Sequence, residues 1–358
     1  IQVVRTTSFE PYRLYRAFGG QRAQDDPRHR AGEGSRRGGW YQRFSEKFLV
    51  PDAKIGWYPL ALDASRALDG EGRPVLVVAT NPPASALVIG GAIARRWGAP
   101  LVLDYRDPWT TGYYQGEQPA EVQRREEGIE RRLLVQASAV VTVGAGFAQR
   151  IGSLVQDQAE LLNKLRVVGN GFLEESFTEL GPFPFERPTL LHAGSLYHHR
   201  SPEPLLEAIA LLKAQEPALW DAAELRWVGN VDRAYLDHAA RLGIQNLVHE
   251  GFVEHRTALE YQLGADLLLL LTEGMLTGKV YEYLRAGRPI LAIGESPDLA
   301  ELLQRHGAGQ VFPRDDVEGI ANFIAQVLRR RQRTGPREPR PWPGVEAYER
   351  GALAAQFA

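Results

Sequence analysis

Short apolar segments alternate with longer amphipathic segments along most of the chain. Near-continuous apolar runs, of which Leu267–Leu271 is the clearest, are typical of strands buried on both faces of a parallel sheet. The segments between these runs fit helices, so the pattern predicts a doubly wound α/β architecture. Strands are expected at Ile1–Thr6, Val75–Thr80, Leu101–Tyr105, Ala139–Val143, Arg166–Gly169, Thr189–Ala193, Leu225–Gly229, Leu247–Phe252, Asp266–Leu271, Pro289–Ile293 and Gln310–Phe312. Helices are expected at Ser85–Trp97, Ala120–Gln136, Gly146–Val155 and Val345–Phe357.

A break in the alternation predicts two Rossmann-like domains that face a cleft. The stretch Gly181-Pro182-Phe183-Pro184-Phe185 interrupts the periodicity, and 358 residues are enough for two domains with a core each. A second Pro-rich stretch, Pro336–Pro343, precedes the last helix. We therefore expect a first domain at 1–180 and a second at 187–340. Residues 343–358 are expected to return to the first domain as a helix.

Composition removes several functional classes. With 42 Lys and Arg against 44 Asp and Glu, the chain shows no global attraction to nucleic acid. The absence of cysteine excludes disulfides and thiolate metal sites, and the eight histidines lack the spacing of zinc ligands. No apolar run approaches the roughly 20 residues that span a bilayer. The first residues do not resemble a signal peptide, so we expect a cytoplasmic protein.

Positive charge is concentrated near the N-terminus. Residues 1–50 hold ten Lys or Arg and five Asp or Glu. Trp40, Phe44 and Phe48 fall on one stripe of a helix over Trp40–Leu49, beside two basic residues. Such a helix can lie on the anionic inner face of a membrane, or its stripe can pack on its own domain. The sequence leaves both interpretations open.

The stretch that begins at Gly278 carries the strongest chemical signal. It follows the Leu267–Leu271 run and precedes another apolar strand, so it predicts a βαβ unit whose helix begins at the carboxyl edge of the sheet. Unpaired N–H groups, the helix dipole and Lys279 in the first turn suit a phosphate. Glu282 lies within reach of a sugar hydroxyl, so a diphosphate and a ribose are the predicted ligands.

A phosphate loop and an ordinary amphipathic helix are the other two interpretations of this stretch. Val280 stands where a phosphate loop has the Ser or Thr that holds magnesium, which makes a nucleotide triphosphatase a poor match. An ordinary amphipathic helix would use Val280, Tyr283 and Leu284 as core. Lys279 and Glu282 lie off that face and stay available for a ligand.

Other strand ends contribute to the same edge. Gly194 and Ser195 form a small turn after their strand, and Arg200 can reach back to a phosphate. Gly229 and Phe252 follow two further strands, where a flat base could rest against the backbone. The plainer alternatives are a solvated charge for Arg200 and ordinary turn glycines for the others.

In the first domain, two acids, an arginine and a tryptophan crowd the carboxyl end of one strand, where sites on open α/β sheets lie. Asp107 and Arg106 are the candidate catalytic residues, because Asp107 could orient an acceptor hydroxyl and Arg106 could counter negative charge. Trp109 could stack on a sugar ring, and Asn81 ends a neighbouring strand. Asp104 fits this acceptor side, and it fits equally well as an internal partner of Arg106. In that second interpretation Trp109 is a packing residue.

These residues together resemble the retaining nucleotide-sugar glycosyltransferases of the GT-B fold, in the large group called family four. The resemblance implies a UDP- or GDP-sugar donor on the second domain, a saccharide or lipid-linked acceptor on the first, and no metal or other cofactor. Residue by residue, it implies that Glu282 binds the ribose and that Arg200 and Lys279 hold the diphosphate. It is carried by the segments Asn81-Pro82-Pro83, Asp104–Trp109, Thr142-Val143, Asn170-Gly171-Phe172 and Thr189–Phe312.

Two alternatives stay open beside this function. The resemblance implies a glutamate where Gly274 stands, and Ile1 matches a strand well inside the first domain, so an opening strand and its glycine-rich loop are expected to be missing. Both points favour a catalytically silent binding protein. The other alternative is a UDP-sugar epimerase of the same fold, although its early Gly-Thr-Arg-Pro-Glu is not in the chain.

Overall fold

The computed structural model of the chain describes residues 3–8, 49–66, 74–111, 119–155, 158–196, 201–272, 274 and 276–357. Contacts within the chain divide it into two units, residues 1–168 (unit 1) and residues 169–358 (unit 2). Each unit is an α/β structure built on a parallel sheet. The domain limits expected from the sequence, 1–180 and 187–340 with 343–358 joining the first, stay a prediction.

Unit 1 contains a four-stranded parallel sheet in the order β1-β2-β3-β4. Its largest buried side chains include Leu87, Leu103, Leu134 and Ile151, which come from helices and strands of this unit. The strands are β1 Val77–Asn81, β2 Leu101–Tyr105, β3 Ala139–Thr142 and β4 Leu165–Val167. The helices are α1 Tyr58–Ser65, α2 Ala84–Trp97, α3 Ala120–Gln136, α4 Ala145–Gly152 and α5 Gln158–Lys164, with a 3-10 turn at Ile55–Trp57.

Unit 2 contains a six-stranded parallel sheet. Its strands are β5 Thr189–Ala193, β6 Glu224–Val228, β7 Leu247–Gly251, β8 Leu267–Leu271, β9 Ile290–Ile293 and β10 Gly309–Phe312. Its helices are α6 Glu203–Gln215, α7 Pro217–Asp221, α8 Arg233–Arg241, α9 His255–Gly264, α10 Lys279–Ala286, α11 Pro297–His306, α12 Val317–Thr334 and α13 Arg350–Phe357. Two 3-10 turns lie at Glu174–Phe177 and Val345–Tyr348.

The order of this second sheet, β10-β9-β8-β5-β6-β7, contains one reversal of direction. From β5 the chain builds outward through β6 and β7, and it then crosses to the other side of β5 to form β8, β9 and β10. In open α/β sheets a crevice forms at such a switch point, outside the carboxyl ends of the two strands. The switch point of unit 2 lies between β5 and β8.

The apolar run of β8 confirms the expectation of a strand that is buried on both faces. Leu267, Leu269 and Leu271 belong to one hydrophobic cluster, and Leu268 and Leu270 belong to another. Because side chains alternate along a strand, the two clusters lie on opposite faces of the sheet. All five leucines are at most 3% exposed.

Ten predicted strands are confirmed, each with limits within two residues of those expected. The strand predicted at Ile1–Thr6 is wrong, because the described part of this segment has no strand conformation. Val3 and Val4 have 68% and 53% of their surface exposed. Their β-branched side chains therefore lack the packing that favours such residues in a sheet. The helices predicted around Ser85–Trp97 and Ala120–Gln136 are also confirmed.

The Pro-rich segment that was expected to separate the domains packs on unit 2. The rings of Phe183 and Phe185 lie 4.7 and 5.3 Å from that of Tyr261 in α9. At the C-terminus, the ring of Tyr348 lies 5.0 Å from that of Tyr281 in α10. No helix in the described part of the chain is both long and apolar enough to span a bilayer.

Candidate functional site

The strongest candidate site of unit 2 lies at the switch point of its sheet. Gly194 is the first residue after β5, and Lys279 begins α10 in the connection that follows β8. A β-carbon built on Gly194 would overlap Nζ of Lys279. The lysine ammonium group therefore lies against the backbone turn after β5, in the space that the missing side chain leaves.

Gly229, the first residue after β6, allows a second close approach at this edge. Its φ of +115° is rarely adopted by residues with a side chain, and a β-carbon there would lie 2.7 Å from the carbonyl carbon of Gly194. The N–H of Gly194 donates to the carbonyl of Val228 at 2.7 Å. The turns after β5 and β6 are thus packed backbone to backbone, and the predicted approach of a ligand to these glycines stays a prediction.

His192 lies beneath the lysine and was not predicted as part of the site. Its Nδ1 lies 3.0 Å from the carbonyl oxygen of Leu269 in the neighbouring strand, and because a carbonyl only accepts, Nδ1 carries the hydrogen. Its Nε2 lies 3.4 Å from the position of a β-carbon at Gly194, the point that Nζ of Lys279 also approaches. The side chain is 3% exposed. A buried imidazole therefore supports the turn that holds the lysine.

The first turn of α10 differs from the prediction of unpaired N–H groups. The N–H of Lys279 donates to Oγ1 of Thr277 at 3.2 Å, and those of Val280 and Tyr281 donate to backbone carbonyls at 3.2 and 3.3 Å. The helix dipole and the lysine charge remain at this end. Gly278 is exposed, and a β-carbon on it would lie 3.8 Å from the amide nitrogen of Asn170.

Glu282 lies one turn into α10, partly exposed beside α9. Its Oε1 is 3.2 Å from Nε2 of His255, the first residue of α9. The side chain of Glu282 keeps 24% of its surface exposed, and that of His255 keeps 62%. The predicted ribose-binding carboxylate is thus reachable from solvent and is oriented by His255, which no pattern in the sequence marks.

Tyr283 fixes the orientation of α10 relative to β5. Its hydroxyl accepts a hydrogen bond from the backbone N–H of Ala193 at 3.1 Å, at the residue that precedes Gly194. The ring is fully buried, and burial raises the pKa of the hydroxyl well above its ordinary value. This bond ties the helix that carries Lys279 and Glu282 to the strand end that they face.

The remaining residues predicted for the donor side differ in their placement. Ser195 is half-buried in the turn after β5, and Phe252 follows β7 with 75% of its surface exposed. Phe252 therefore offers an open aromatic face at the carboxyl edge. Arg200 lies outside the described residues.

In unit 1, an acid near the end of β2 and the arginine that follows the strand form an internal pair. Nε of Arg106 lies 2.9 Å from Oδ1 of Asp104, and the hydroxyl of Thr80 donates to Oδ2 at 3.2 Å. The Asp104 side chain is 8% exposed and that of Arg106 is 30% exposed. One outer nitrogen of the same guanidinium group donates to the backbone carbonyl of Val168 at 3.4 Å, so Arg106 is held on two sides.

The other predicted residues of unit 1 shape the same strand ends. The side-chain amide of Asn81 donates to the backbone carbonyl of Asp107 at 2.7 Å, which leaves the exposed Asp107 carboxylate on a fixed turn. Trp109 is 9% exposed and belongs to the core of unit 1. Glu126 is also buried, and its interaction with the indole of Trp109 opposes the rise that burial causes in the pKa of its carboxyl.

The start of α2 follows β1 at this edge and is occupied by the protein itself. Oδ2 of Asp52 accepts from the N–H of Ser85 at 2.8 Å, and Oδ1 accepts from the hydroxyl of Ser85 at 2.5 Å. This helix N-terminus is therefore capped by a carboxylate and offers less to an external anion. Among the residues that the structure describes, no group of acids and histidines is arranged to hold a metal ion.

Two models of known protein families match the chain. The sequence model described as Glycosyl transferases group 1 matches residues 187–330, and that described as Glycosyl transferase 4-like domain matches residues 12–171. No curated protein sequence matches the chain.

Solved structures with the same fold include three glycosyltransferase-type proteins. HepE from Anabaena, solved with UDP and glucose, is 18% identical over 84% of this chain and 80% of that chain, with a TM-score of 0.59. Sucrose-phosphate synthase from Thermosynechococcus elongatus is 15% identical over 85% and 77%, with a TM-score of 0.57. WaaG, a glycosyltransferase of lipopolysaccharide biosynthesis, is 16% identical over 76% and 82%, with a TM-score of 0.53. At these identities the likeness shows the GT-B fold.

Proposed function

The chain belongs to the GT-B glycosyltransferases, and from this premise we propose that it transfers a sugar from a nucleoside diphosphate sugar to an acceptor. The proposed acceptor is a saccharide or a lipid-linked molecule. We propose a UDP- or GDP-sugar as the donor and retention of configuration at the anomeric carbon. The protein acts without a metal in this proposal.

The placement of Lys279 against Gly194 supports the proposal most directly. A cation at the switch point of a parallel sheet, beside the start of a helix, is suited to a diphosphate. The site offers one full positive charge from Lys279 and the positive end of the α10 dipole. We propose Arg200, which comes four residues after Leu196 in the sequence, as a second cation.

The proposed reaction breaks the bond between the anomeric carbon and the diphosphate oxygen. The acceptor hydroxyl oxygen forms the new bond to the same carbon, and its proton passes to the departing diphosphate on the same face. Negative charge grows on the diphosphate as it leaves, and Lys279 stabilises that charge where it develops. Glu282 binds the ribose hydroxyls, and Phe252 and the backbone at Gly229 hold the base.

We assign acceptor binding to unit 1. Asp107 orients the acceptor hydroxyl, and Arg106, held by Asp104, counters negative charge. Asn81 fixes the turn that carries Asp107, and Trp109 supports that turn from the core. We further propose a cytoplasmic enzyme that contacts the inner face of the membrane through Trp40–Leu49, a segment of which only Leu49 is described.

Donor turnover by wild-type protein and by Lys279→Met tests the central assignment. The methionine keeps an unbranched stem and removes the charge, so slow hydrolysis of UDP- or GDP-sugar in the absence of acceptor should fall about 10- to 100-fold, as expected for loss of one charged hydrogen bond. Lys164→Met, which removes a lysine paired with Glu160 on the surface of α5, is the matched control.

The products of the same assay separate the alternatives. Free sugar and nucleoside diphosphate support transfer, whereas an epimerised nucleotide sugar would assign the protein to the epimerases of this fold. Calorimetric binding of UDP or GDP with no turnover of any donor would indicate a silent binding protein. Unchanged hydrolysis in Lys279→Met would remove the proposed role of this residue.

A further inference from the structure

Unit 2 has a cavity at the amino ends of its outer strands, opposite the carboxyl edge at which Lys279 lies. It has a volume of about 650 Å³ and lies beside β10, the edge strand, between α11 and α12. Asp266 and Pro289, which precede β8 and β9, also line it. Because Lys279 follows the carboxyl end of β8, the length of a strand separates the two places.

The floor of this cavity is apolar and partly aromatic. Val311 of β10, Phe323 and Val327 of α12, and Trp342 from the segment after α12 line it, and each is half-buried. Phe323 and Val327 are four residues apart and so lie on one face of the helix. The volume falls within the range of small-molecule sites in proteins, about 300–1,000 Å³.

Three arginines line the rim of the same cavity. Arg331 pairs with Asp266, with Nε 2.9 Å from Oδ1. Arg330 and Arg337 form no ion pair within the part of the chain that the structure describes. The guanidinium of Arg337 instead lies over the ring of Trp342, 4.5 Å from its centroid.

The arginines repel one another, and a fourth lies behind them. Burial and the charge of Arg330 both lower the pKa of Arg337. Arg288 is 2% exposed and donates to the backbone carbonyls of Arg337 and Leu263. Burial lowers its pKa to about 10; the charges of Asp266 and Glu338 oppose this shift, and the charges of Arg337 and Arg331 add to it. The four cations thus face few acids, and an anion held between Arg330 and Arg337 would relieve the repulsion.

We propose that this cavity is a binding site for a small phosphorylated molecule with an apolar or aromatic body. The phosphate dianion lies between the guanidinium groups of Arg330 and Arg337, which suit its geometry. The body of the ligand packs on Phe323, Val327 and Trp342. The apolar residues line a concavity of about 650 Å³, which favours a small ligand over the surface of a membrane.

Calorimetric titration of the whole chain carrying Lys279→Met together with Arg200→Gln tests this proposal independently of sugar transfer, because both cations proposed for the donor site are then absent. The probes are phenyl phosphate, inorganic phosphate and benzyl alcohol. Phenyl phosphate should bind more tightly than either of the others, since only it supplies both the dianion and the ring. Arg330→Gln combined with Arg337→Gln should weaken phenyl phosphate binding by about tenfold or more. Arg333→Gln, at an exposed position on α12 outside the cavity, is the matched control.

The proposal is overturned if phenyl phosphate gives no binding in the Lys279→Met, Arg200→Gln protein, if inorganic phosphate binds as tightly, or if Arg333→Gln has the same effect as the combined Arg330→Gln and Arg337→Gln change. Phosphatidylserine vesicles that pellet the protein through Arg330 and Arg337, without phenyl phosphate binding, would assign the cluster to a membrane surface instead. Thermal unfolding checks that each variant is folded. The single change Arg330→Gln, at an exposed side chain, should already give part of the loss.

Discussion

Nζ of Lys279 occupies the space in which a side chain at Gly194 would begin. The first residue after β5 and the first residue of α10, 85 positions apart, are thereby coupled. A side chain at position 194 would displace the end of the lysine. This relationship gives the proposed diphosphate site its sharpest test.

Gly194→Ala should displace the lysine and weaken the binding of UDP or GDP. The added methyl group meets the far end of a flexible side chain, which can move away at little cost to stability. The charge then lies farther from the turn, and we expect nucleoside diphosphate affinity to fall about tenfold in calorimetric titrations. Gly181→Ala is the control, because a β-carbon there meets nothing within 4 Å. Wild-type affinity in a folded Gly194→Ala protein would contradict the assignment.

Glu282 should discriminate nucleotides by their ribose hydroxyls. Wild-type protein is expected to bind UDP about tenfold more tightly than 2′,3′-dideoxy-UDP, because the carboxylate accepts from hydroxyls that the analogue lacks. Glu282→Ala should lower UDP affinity and leave that of the analogue nearly unchanged. Glu301→Ala, at an exposed acid of α11 that pairs with Arg305, serves as the matched control.

A double-mutant cycle separates ribose binding from the contact between α9 and α10. His255→Ala removes the partner that lies 3.2 Å from Glu282. If Glu282 acts through the ribose, the preference for UDP over the dideoxy analogue should survive in His255→Ala and vanish in Glu282→Ala. Equal losses in both variants would instead indicate that Glu282 only joins the two helices.

The strands could be predicted because parallel strands buried on both faces appear as unbroken apolar runs. Leu267–Leu271 is such a run, and the structure buries all of it. Val3 and Val4 have the same residue preferences without a neighbouring strand, and the prediction of a strand there is wrong. Local pattern indicates a strand, but pairing partners decide whether one forms.

Part of the site was beyond sequence reasoning because it depends on which strands are neighbours. His192 meets the carbonyl of Leu269 only because β8 lies beside β5, 77 positions later in the chain. In the sequence it is a single histidine inside an apolar strand, with no spacing that marks it. His255 is similar, since it meets Glu282 through the packing of α9 on α10. The sequence left open whether Asp104 pairs with Arg106, and the structure shows that pair.

Tyr283→Phe should destabilise unit 2 and loosen the site together. The change removes the hydroxyl that accepts from the N–H of Ala193 and leaves that buried group without this acceptor. Such a loss costs about 1–3 kcal/mol in the free energy of unfolding, measurable by urea denaturation. Tyr235→Phe, at a partly buried tyrosine of α8, is the control. A Tyr283→Phe protein with unchanged stability and UDP affinity would show that the bond does not position α10.

Stability should also depend on pH through Glu126 in the core of unit 1. Burial raises the pKa of Glu126 to about 7 from its ordinary value of 4.5; the hydrogen bond from Trp109 opposes this shift, and the charges of Asp52 and Glu130 add to it. Between those two pH values the folded protein holds a proton that the unfolded chain has released. The free energy of unfolding should therefore fall as the pH rises from 4.5 to 7 and then level off.

Glu126→Gln should remove this part of the pH dependence. Its side-chain oxygen can still accept from Trp109, and the amide carries no charge to bury. We expect the variant to exceed the wild type in stability at pH 8 by at most about 3 kcal/mol and to match it near pH 4.5, as measured by urea denaturation. Glu121→Gln, at an exposed position in the first turn of the same helix, should leave the difference between the two pH values as in the wild type. If the pH profiles of Glu126→Gln and the wild type were parallel, the Glu126 carboxylate would ionise in the folded protein at no cost in stability. Glu126 would then be less buried than its interaction with Trp109 indicates.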